Sequence, residues 1–366
     1  MIYIAGISIA LFISALLLNK KAKSRSDIFL FIWMLLLAAH LYLYYINFTG
    51  SLFEMPYLLG IEIPLPLIHG VLLYFYVSAV TNQFPKKNWI AWLHLLPISI
   101  GYIYLIPFFL SNSQQKIALF KNGFEVYKDF MTYGLILIFV SGTVYVLWSS
   151  ILLQKHKRNI QNQFSDIEEV DLKWLQFLTY GLGAIWCIVI FTNNDAYIFL
   201  GVTIFVIFIG FFGVQQITIF GNRKYTLVKS DKKLLDGFDE KKKYARSGLT
   251  DELAQNTYKR LIHLFTSEEY YKKNDLSLNE LASELNIHPN YLSQIINERE
   301  NMSFYDFVNT YRVEEFKRLV INLKNKKFTL LSLAYDCGFN SKSSFNRYFK
   351  KNTGITPSQF VNSVVD

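Results

Sequence analysis

Up to about residue 220 the chain alternates long apolar stretches with short polar ones. The apolar stretches fall at 2–18, 28–46, 57–80, 89–111, 130–153, 172–192 and 196–220. Each approaches the roughly 20 residues that carry a helix across about 30 Å of hydrocarbon. The polar face that a soluble helix turns to water is missing from them. The pattern predicts seven membrane-spanning helices, the last two joined by a tight hairpin at Asn193-Asn194-Asp195. Pro64, Pro66, Pro97 and Pro107 lie within the third and fourth stretches, where each frees a backbone carbonyl and is expected to kink its helix.

After Phe220 the pattern changes. A polar, lysine-rich stretch, Gly221 to Gly248, includes Asp239-Glu-Lys-Lys-Lys-Tyr244 and reads as a solvated linker beside the membrane surface. Thr250 then starts a helix whose apolar positions Leu253, Leu261, Ile262, Leu264 and Phe265 predict one buried face. Ser277 followed three residues later by Glu280 is a capping box opening a short helix, Leu278 to Leu285. Asn286 tolerates the left-handed backbone of a sharp turn, and Pro289 suits the first position of a second helix, Asn290 to Asn297. Leu292, Ile295 and Ile296 form its inner face, which leaves Asn290, Ser293, Gln294 and Asn297 outside.

A longer helix follows, capped by Ser303 and Asp306 and periodic in Phe304, Phe307, Val308, Tyr311, Leu319, Val320 and Leu323. Then the short pattern returns. Thr329 to Cys337 forms a helix, Gly338 the turn, and Asn340 or Ser341 caps a second helix running to about Asn352. Phe345 and Phe349 point inward there, while Lys342, Ser343, Asn346, Arg347 and Lys350 point out. Ala282 and Ala334 hold equivalent places in the two copies. Two short helices across such a turn make a helix-turn-helix, whose second helix can enter a DNA major groove. A duplicated one is harder to reach by chance than a single one.

Charge sharpens the division. The 366 residues carry a net charge of +9; those before 221 hold 13 Lys and Arg against 10 Asp and Glu, and the rest 24 against 18. A basic excess in the second part suits a nucleic-acid partner. The loops after the first, third and fifth stretches hold nine Lys and Arg (Lys20, Lys21, Lys23, Arg25, Lys86, Lys87, Lys155, Lys157, Arg158), and the alternate loops three (Lys116, Lys121, Lys128). The positive-inside rule therefore puts the N-terminus outside and everything after Phe220 in the cytoplasm. Because these positive residues follow the first apolar run instead of preceding it, that run is expected to be a retained span and not a cleaved signal.

Ionisable residues within spans are candidates for function. Glu62 and His69, seven apart in the third stretch, are expected to share a helix face two turns apart. His40 and His94 lie in the second and fourth stretches. With Glu54, Asn193, Asn194 and Asp195 on the outer rim they could line a ligand or sensor pocket, the plainer alternative being hydrogen bonds between helices. Cys187 and Cys337 fall in different phases, which predicts no disulfide, and no metal site or cofactor is expected. Without a His-Glu-x-x-His spacing, a phosphate loop, a nucleophile elbow or a kinase signature, an enzyme is not expected.

The segment Leu276 to Phe360 resembles the DNA-binding domain of AraC/XylS transcription regulators. The residues that carry the resemblance are Leu281-Ala282, Tyr291-Leu-Ser-Gln294, Tyr311-Arg-Val-Glu-Glu-Phe-Lys-Arg-Leu319, Ala334-Tyr-Asp-Cys-Gly-Phe339, Ser343 to Lys351 and Gly354-Ile-Thr-Pro357. Gly70 to Val77, His94 to Pro97 and Tyr244 to Leu249 resemble phrases of a Bacteroidetes subgroup in which a seven-span domain precedes this module. The sequence departs from the family at Phe316, where alanine is usual, at Asn286, where glycine is common, and at Phe360-Val361, where Tyr-Arg is frequent.

By that resemblance Asn290, Ser293, Gln294, Lys342, Ser343 and Arg347 read bases, as their chemistry allows. Lys350, Lys351, Lys326 and Lys327 are better placed for phosphates. The expected chain is all-α: a seven-helix transmembrane domain (1–220), a basic cytoplasmic linker (221–249) and a domain of two helix-turn-helix units joined by a long helix (250–366). Its expected partners are double-stranded DNA, the lipid bilayer of a bacterial cytoplasmic membrane, a small-molecule or envelope signal, RNA polymerase and a second copy of the chain. A passive anchor on a regulator controlled by abundance or a partner protein, and a solute transporter with a DNA-binding tail, are the alternatives.

Overall fold

The computed structural model describes residues 2–168, 171–192, 194–222, 250–322 and 328–365. Among them every regular element is helical, and strand pairing is confined to one isolated antiparallel bridge, Phe164 with Ser277. The chain divides into two compact units, Met1–Lys155 with Leu172–Tyr225, and His156–Asp171 with Thr226–Asp366. The second unit thus takes in a segment that precedes the last two apolar helices, a grouping different from a single cut after residue 220.

The first unit holds α1 (Ile2–Asn19), α2 (Arg25–Phe48), α3 (Pro66–Val80), α4 (Asn88–Leu93), α5 (Leu96–Tyr104), α6 (Ile106–Leu110), α7 (Ser113–Lys121), α8 (Lys128–Gln161), α9 (Lys173–Phe191) and α10 (Asp195–Asn222). The end of α8, from His156, belongs to the second unit. Among the described residues α1, α2, α8, α9 and α10 are long and apolar enough to cross a membrane. The third and fourth apolar stretches differ from the single long helices expected. The third yields only the 15 residues of α3, and the fourth is divided among α4, α5 and α6. Proline is the cause: Pro66, Pro97 and Pro107 each stand in the first two positions of a helix, because a helix cannot run through a ring that lacks the donor and meets the carbonyl four residues back.

Packing within this unit follows the apolar positions. α1 lies against α2 and α10, α2 against α3, and α9 against α10. Trp33, Leu37, Leu73, Leu175 and Val206 meet in one core. α8 and α9 approach closely at Gly142, where an added Cβ would lie 2.4 Å from the Trp186 ring. Ser24 starts α2 with a full capping box, its hydroxyl accepting from Asp27 N while its own N–H donates to Asp27 Oδ2 at 2.7 Å.

The second unit holds α11 (Asp251–Thr266), α12 (Leu278–Glu284), α13 (Pro289–Glu300), α14 (Phe304–Ile321), α15 (Leu330–Asp336), α16 (Lys342–Thr353) and α17 (Pro357–Val365). α14 is the shared wall of two cores. Its first turns send Phe304, Phe307 and Val308 into a core with Leu281, Leu292 and Ile296. Farther along, Val313 and Phe316 enter a second core with Leu333, Phe345 and Phe349. Phe316 is fully buried in this core: its ring centroid lies 4.6 Å from that of Phe345 and 5.5 Å from that of Phe349.

Between the two cores sits Arg312, 1% exposed. Its Nε donates to the Tyr271 carbonyl at 2.8 Å and its Nη2 to the Lys273 carbonyl at 2.7 Å. Burial lowers its pKa to about 10, so it stays charged at neutral pH. Gly338 faces the same point. Its φ is +97°, and a Cβ there would lie 2.7 Å from the Tyr271 carbonyl oxygen and 3.0 Å from Arg312 Nε. The turn of the second helix pair therefore needs glycine for both its conformation and its space.

Arg312→Ala is expected to destabilise the second unit by about 3 kcal/mol, since it strands buried carbonyls. Gly338→Ala should cost at least about 2 kcal/mol through strain and clash. Hydrogen exchange of the α14 and α16 amides measures both; unchanged protection in either variant would contradict the role given to that residue.

Candidate nucleic-acid interface

In the first helix pair Ser277 accepts from Glu280 N at 3.2 Å and starts α12. Asn286 takes the left-handed conformation, φ +55°, that the turn demands. His288 caps α13, its Nδ1 accepting from Asn290 N at 3.2 Å, and Pro289 takes the first helical position as expected. Leu292, Ile295 and Ile296 are buried as expected. Asn290 and Ser293 sit half-exposed on the outer side and Asn297 is exposed.

Gln294 is a correction. Expected outside, it is 7% exposed and donates from Nε2 to Glu298 Oε1 at 2.9 Å. On a helix that turns 100° per residue Gln294 lies away from the Leu292, Ile295 and Ile296 face, so the period of the helix does not account for its burial.

The second pair repeats the plan. Thr329 caps α15, Gly338 makes the turn, and Ser341, the second of the two expected candidates, caps α16 by accepting from Ser344 N at 3.0 Å. Asn340 instead donates to Asp275 Oδ1 at 2.9 Å. Phe345 and Phe349 are buried, and so is Tyr348, whose hydroxyl donates to the Asp306 carbonyl at 2.8 Å. Burial raises the Tyr348 pKa, which keeps that donor protonated. Lys342, Ser343, Asn346 and Lys350 are exposed. Arg347 is half-buried, with a buried Nη2 that has no hydrogen-bond partner. Lys351 is held by Asp306 at 2.6 Å, which leaves it less available to a phosphate than its exposure suggests. Lys326 and Lys327 lie outside the described residues.

Sequence reasoning missed the polypeptide that meets this surface. Ser341 and Ser343 both donate their hydroxyls to the carboxylate of Glu168, one to each oxygen. The stretch around Glu168 reads only as a basic loop. Its one signal was the spacing of Ile160, Phe164 and Ile167, which puts apolar side chains at near-helical intervals in otherwise polar sequence.

The sensor candidates of the first unit fall into separate places. His40 and His69 meet: Nδ1 of one lies 3.0 Å from Nε2 of the other, with the rings within 7° of parallel. One imidazole must donate and the other accept. His94 Nδ1 lies 2.8 Å from the Tyr145 hydroxyl. Glu62 corrects an expectation, for it lies in the turn before α3 and shares no helix face with His69. Its Oε2 is buried without a hydrogen-bond partner. Glu54 and Asp195 are exposed, the latter in the first turn of α10; Asn193 lies outside the described residues. Among the described residues no group of three or more His, Cys, Asp or Glu is placed to hold a metal ion.

Two capped helix pairs, each turning through a left-handed residue and joined by one long helix, define a tandem helix-turn-helix domain. Residues 281–363 match the family profile described as "Helix-turn-helix domain". Over 110 residues the chain is 30% identical to the uncharacterized HTH-type transcriptional regulator YtdP of Bacillus subtilis, covering 30% of this chain and 14% of that protein. Over 89 residues it is 33% identical to the uncharacterized HTH-type transcriptional regulator YobQ of the same organism, covering 24% and 36%. It is also 33% identical over 85 residues to the uncharacterized HTH-type transcriptional regulator YijO of Escherichia coli, covering 23% and 29%. The chain thus spans little more than a third, at most, of these curated relatives. A solved structure of a protein of unknown function from Listeria innocua matches 29% of this chain and 95% of its own, at 27% identity and a TM-score of 0.26. The C-terminal domain of AraT, a response regulator from Geobacillus stearothermophilus, matches 32% and 88%, at 23% identity and a TM-score of 0.26.

The burial of Gln294 makes it a residue of the fold. Gln294→Ala is expected to lower the stability of the second unit by about 1 kcal/mol, whereas Ser293→Ala on the rim should stay within about 0.5 kcal/mol of the unaltered chain. Denaturant titration read by hydrogen exchange in α13 separates the two.

Proposed function

We propose that this chain is a membrane-tethered, one-component transcription regulator of AraC/XylS type. Its second unit binds double-stranded DNA through α13 and α16. The observation that carries the reading is the duplicated architecture: each second helix buries an apolar face in its core and turns polar side chains outward, while α14 ties the two copies together. Two such helices on one rigid connector suit successive major-groove faces about one turn, ~34 Å, apart.

Base reading falls to Asn290 and Ser293 on α13 and to Lys342, Ser343 and Arg347 on α16. Arg347 is included because its guanidinium can pair with a guanine edge, which supplies two acceptors. Lys350, with Lys326 and Lys327, is assigned to phosphates.

The first unit is assigned to the bacterial cytoplasmic membrane as seven passes, with the N-terminus outside and the DNA-binding domain in the cytoplasm. Five long apolar helices support this, as do the large apolar side chains they turn outward, such as Phe12, Leu147 and Phe191. Exposure of that kind suits hydrocarbon and not water. A signal sensed near His40 and His69 biases the DNA-binding domain; the protein itself is not an enzyme.

Genome-wide crosslinking and immunoprecipitation of the tagged full-length chain tests the reading, with membrane and soluble fractions blotted from the same cells. Discrete promoter peaks, with the protein confined to membranes, are expected; no peaks under any growth condition would remove the DNA-binding role. Arg347→Ala should cost roughly 1–3 kcal/mol and relax preference at one base position. Lys350→Ala should weaken all sequences alike and lower the salt slope of binding by about one. Competition binding against single-base variants of the recovered site, over a salt series, distinguishes the two behaviours.

A further inference from the structure

The segment that includes Glu168 is held in the second unit by more than one kind of contact. Ser165 N donates to the Leu276 carbonyl at 3.1 Å, and Leu278 N returns a bond to the Gln163 carbonyl at 2.9 Å, forming the bridge between Phe164 and Ser277. The Ser165 carbonyl accepts from Asn309 Nδ2 at 2.9 Å, and Asn309 is fully buried. Ile160 and Ile167 are buried in the core that also holds Phe316 and Phe345. The segment is thus seated on the domain by backbone, side chain and apolar contact together.

At its end this seating delivers a carboxylate to the start of α16, a helix of 12 residues. A helix N-terminus carries partial positive charge and unpaired N–H groups, so it attracts anions. Glu168 takes one hydroxyl on each oxygen, from the capping residue Ser341 and from Ser343. The N-terminal residues of a recognition helix are also the ones that meet base edges, close to the phosphates. Glu168 therefore stands where the nucleic acid has to be, and with the same sign of charge.

We infer that the segment 156–168 is a built-in competitor of DNA: docked, it blocks the amino-terminal end of α16, and it must withdraw before that helix can enter a major groove. The inference rests on the DNA-binding reading above and gives it a switch. DNA affinity is reduced by the fraction of molecules in the withdrawn state, so any event that shifts that fraction changes promoter occupancy without altering a base contact. The segment is continuous with α8, which supplies a covalent route for such an event apart from the linker before α11.

The test uses the full-length chain in lipid nanodiscs and, as probe, a fluorescent random-sequence duplex pool long enough to meet both helix pairs. Glu168→Ala is expected to bind the pool roughly tenfold more tightly than the unaltered chain, because two charge-assisted hydrogen bonds no longer compete. Glu168→Gln, which keeps the acceptor and loses the charge, should fall between the two. Binding by Glu168→Ala that is equal or weaker overturns the competitor role while the DNA-binding reading stands. Failure of both chains to retain the pool removes that reading and this inference with it. Should Glu168→Ala not fold, hydrogen exchange on the unaltered chain decides. Adding the pool should speed exchange at the Ser165 and Leu278 amides, and unchanged protection there, with DNA bound, overturns the inference.

Discussion

Among the described residues Arg312 has no carboxylate in hydrogen-bonding reach. Its guanidinium is spent on main-chain carbonyls, those of Tyr271, Lys273 and Asn274, and on the hydroxyl of Ser165. These acceptors belong to the chain before the first helix pair and to the segment near Glu168, whereas Arg312 itself rides on the connector helix. A planar fork of five donors can satisfy several fixed acceptors at once, which a lysine cannot. The relative placement of the two helix pairs follows from this one residue being buried, charged and fully engaged. The φ of Gly338 and the close approach of the Tyr271 carbonyl are conditions for it.

The connector helix converts that local satisfaction into a single body. Its N-terminal half completes one apolar core and its C-terminal half the other, so neither helix pair has a core of its own. Tyr348 adds a bond from α16 back to the start of α14, through the Asp306 carbonyl. The interface for DNA is rigid for the same reason: the inner faces of α13 and α16 are fixed by packing on a common wall, and the outer faces inherit that geometry. Ring contacts of Phe316 with Phe345 and Phe349 show how the wall accommodates a bulky side chain.

Much of this was legible in the sequence, for identifiable reasons. Caps are local, so Ser277 and Ser303 announced their helices, and Asn286 and Gly338 announced their turns. Apolar periodicity placed Leu292, Phe345 and Phe349 correctly because the helices are short and straight. It failed at Gln294, which lies off the apolar face of α13 and is buried all the same, its amide satisfied by Glu298 four residues on. It failed again in the third and fourth apolar stretches, where hydropathy sums over residues but proline decides whether a helix continues. The seating of 156–168 was invisible for a different reason. Hydropathy ranks a residue by its neighbours in sequence, and the partners of Ser165, Leu276 and Asn309, lie more than a hundred positions away.

That separation has a consequence for biosynthesis. Translation finishes Ile160, Phe164 and Ile167 well before the ribosome has made Leu276, Asn309 or Phe345. The segment that seats on the helix-turn-helix domain is therefore made first, while the remainder of that domain is still being threaded out. A version of the domain begun at α11 would have to mature without that segment.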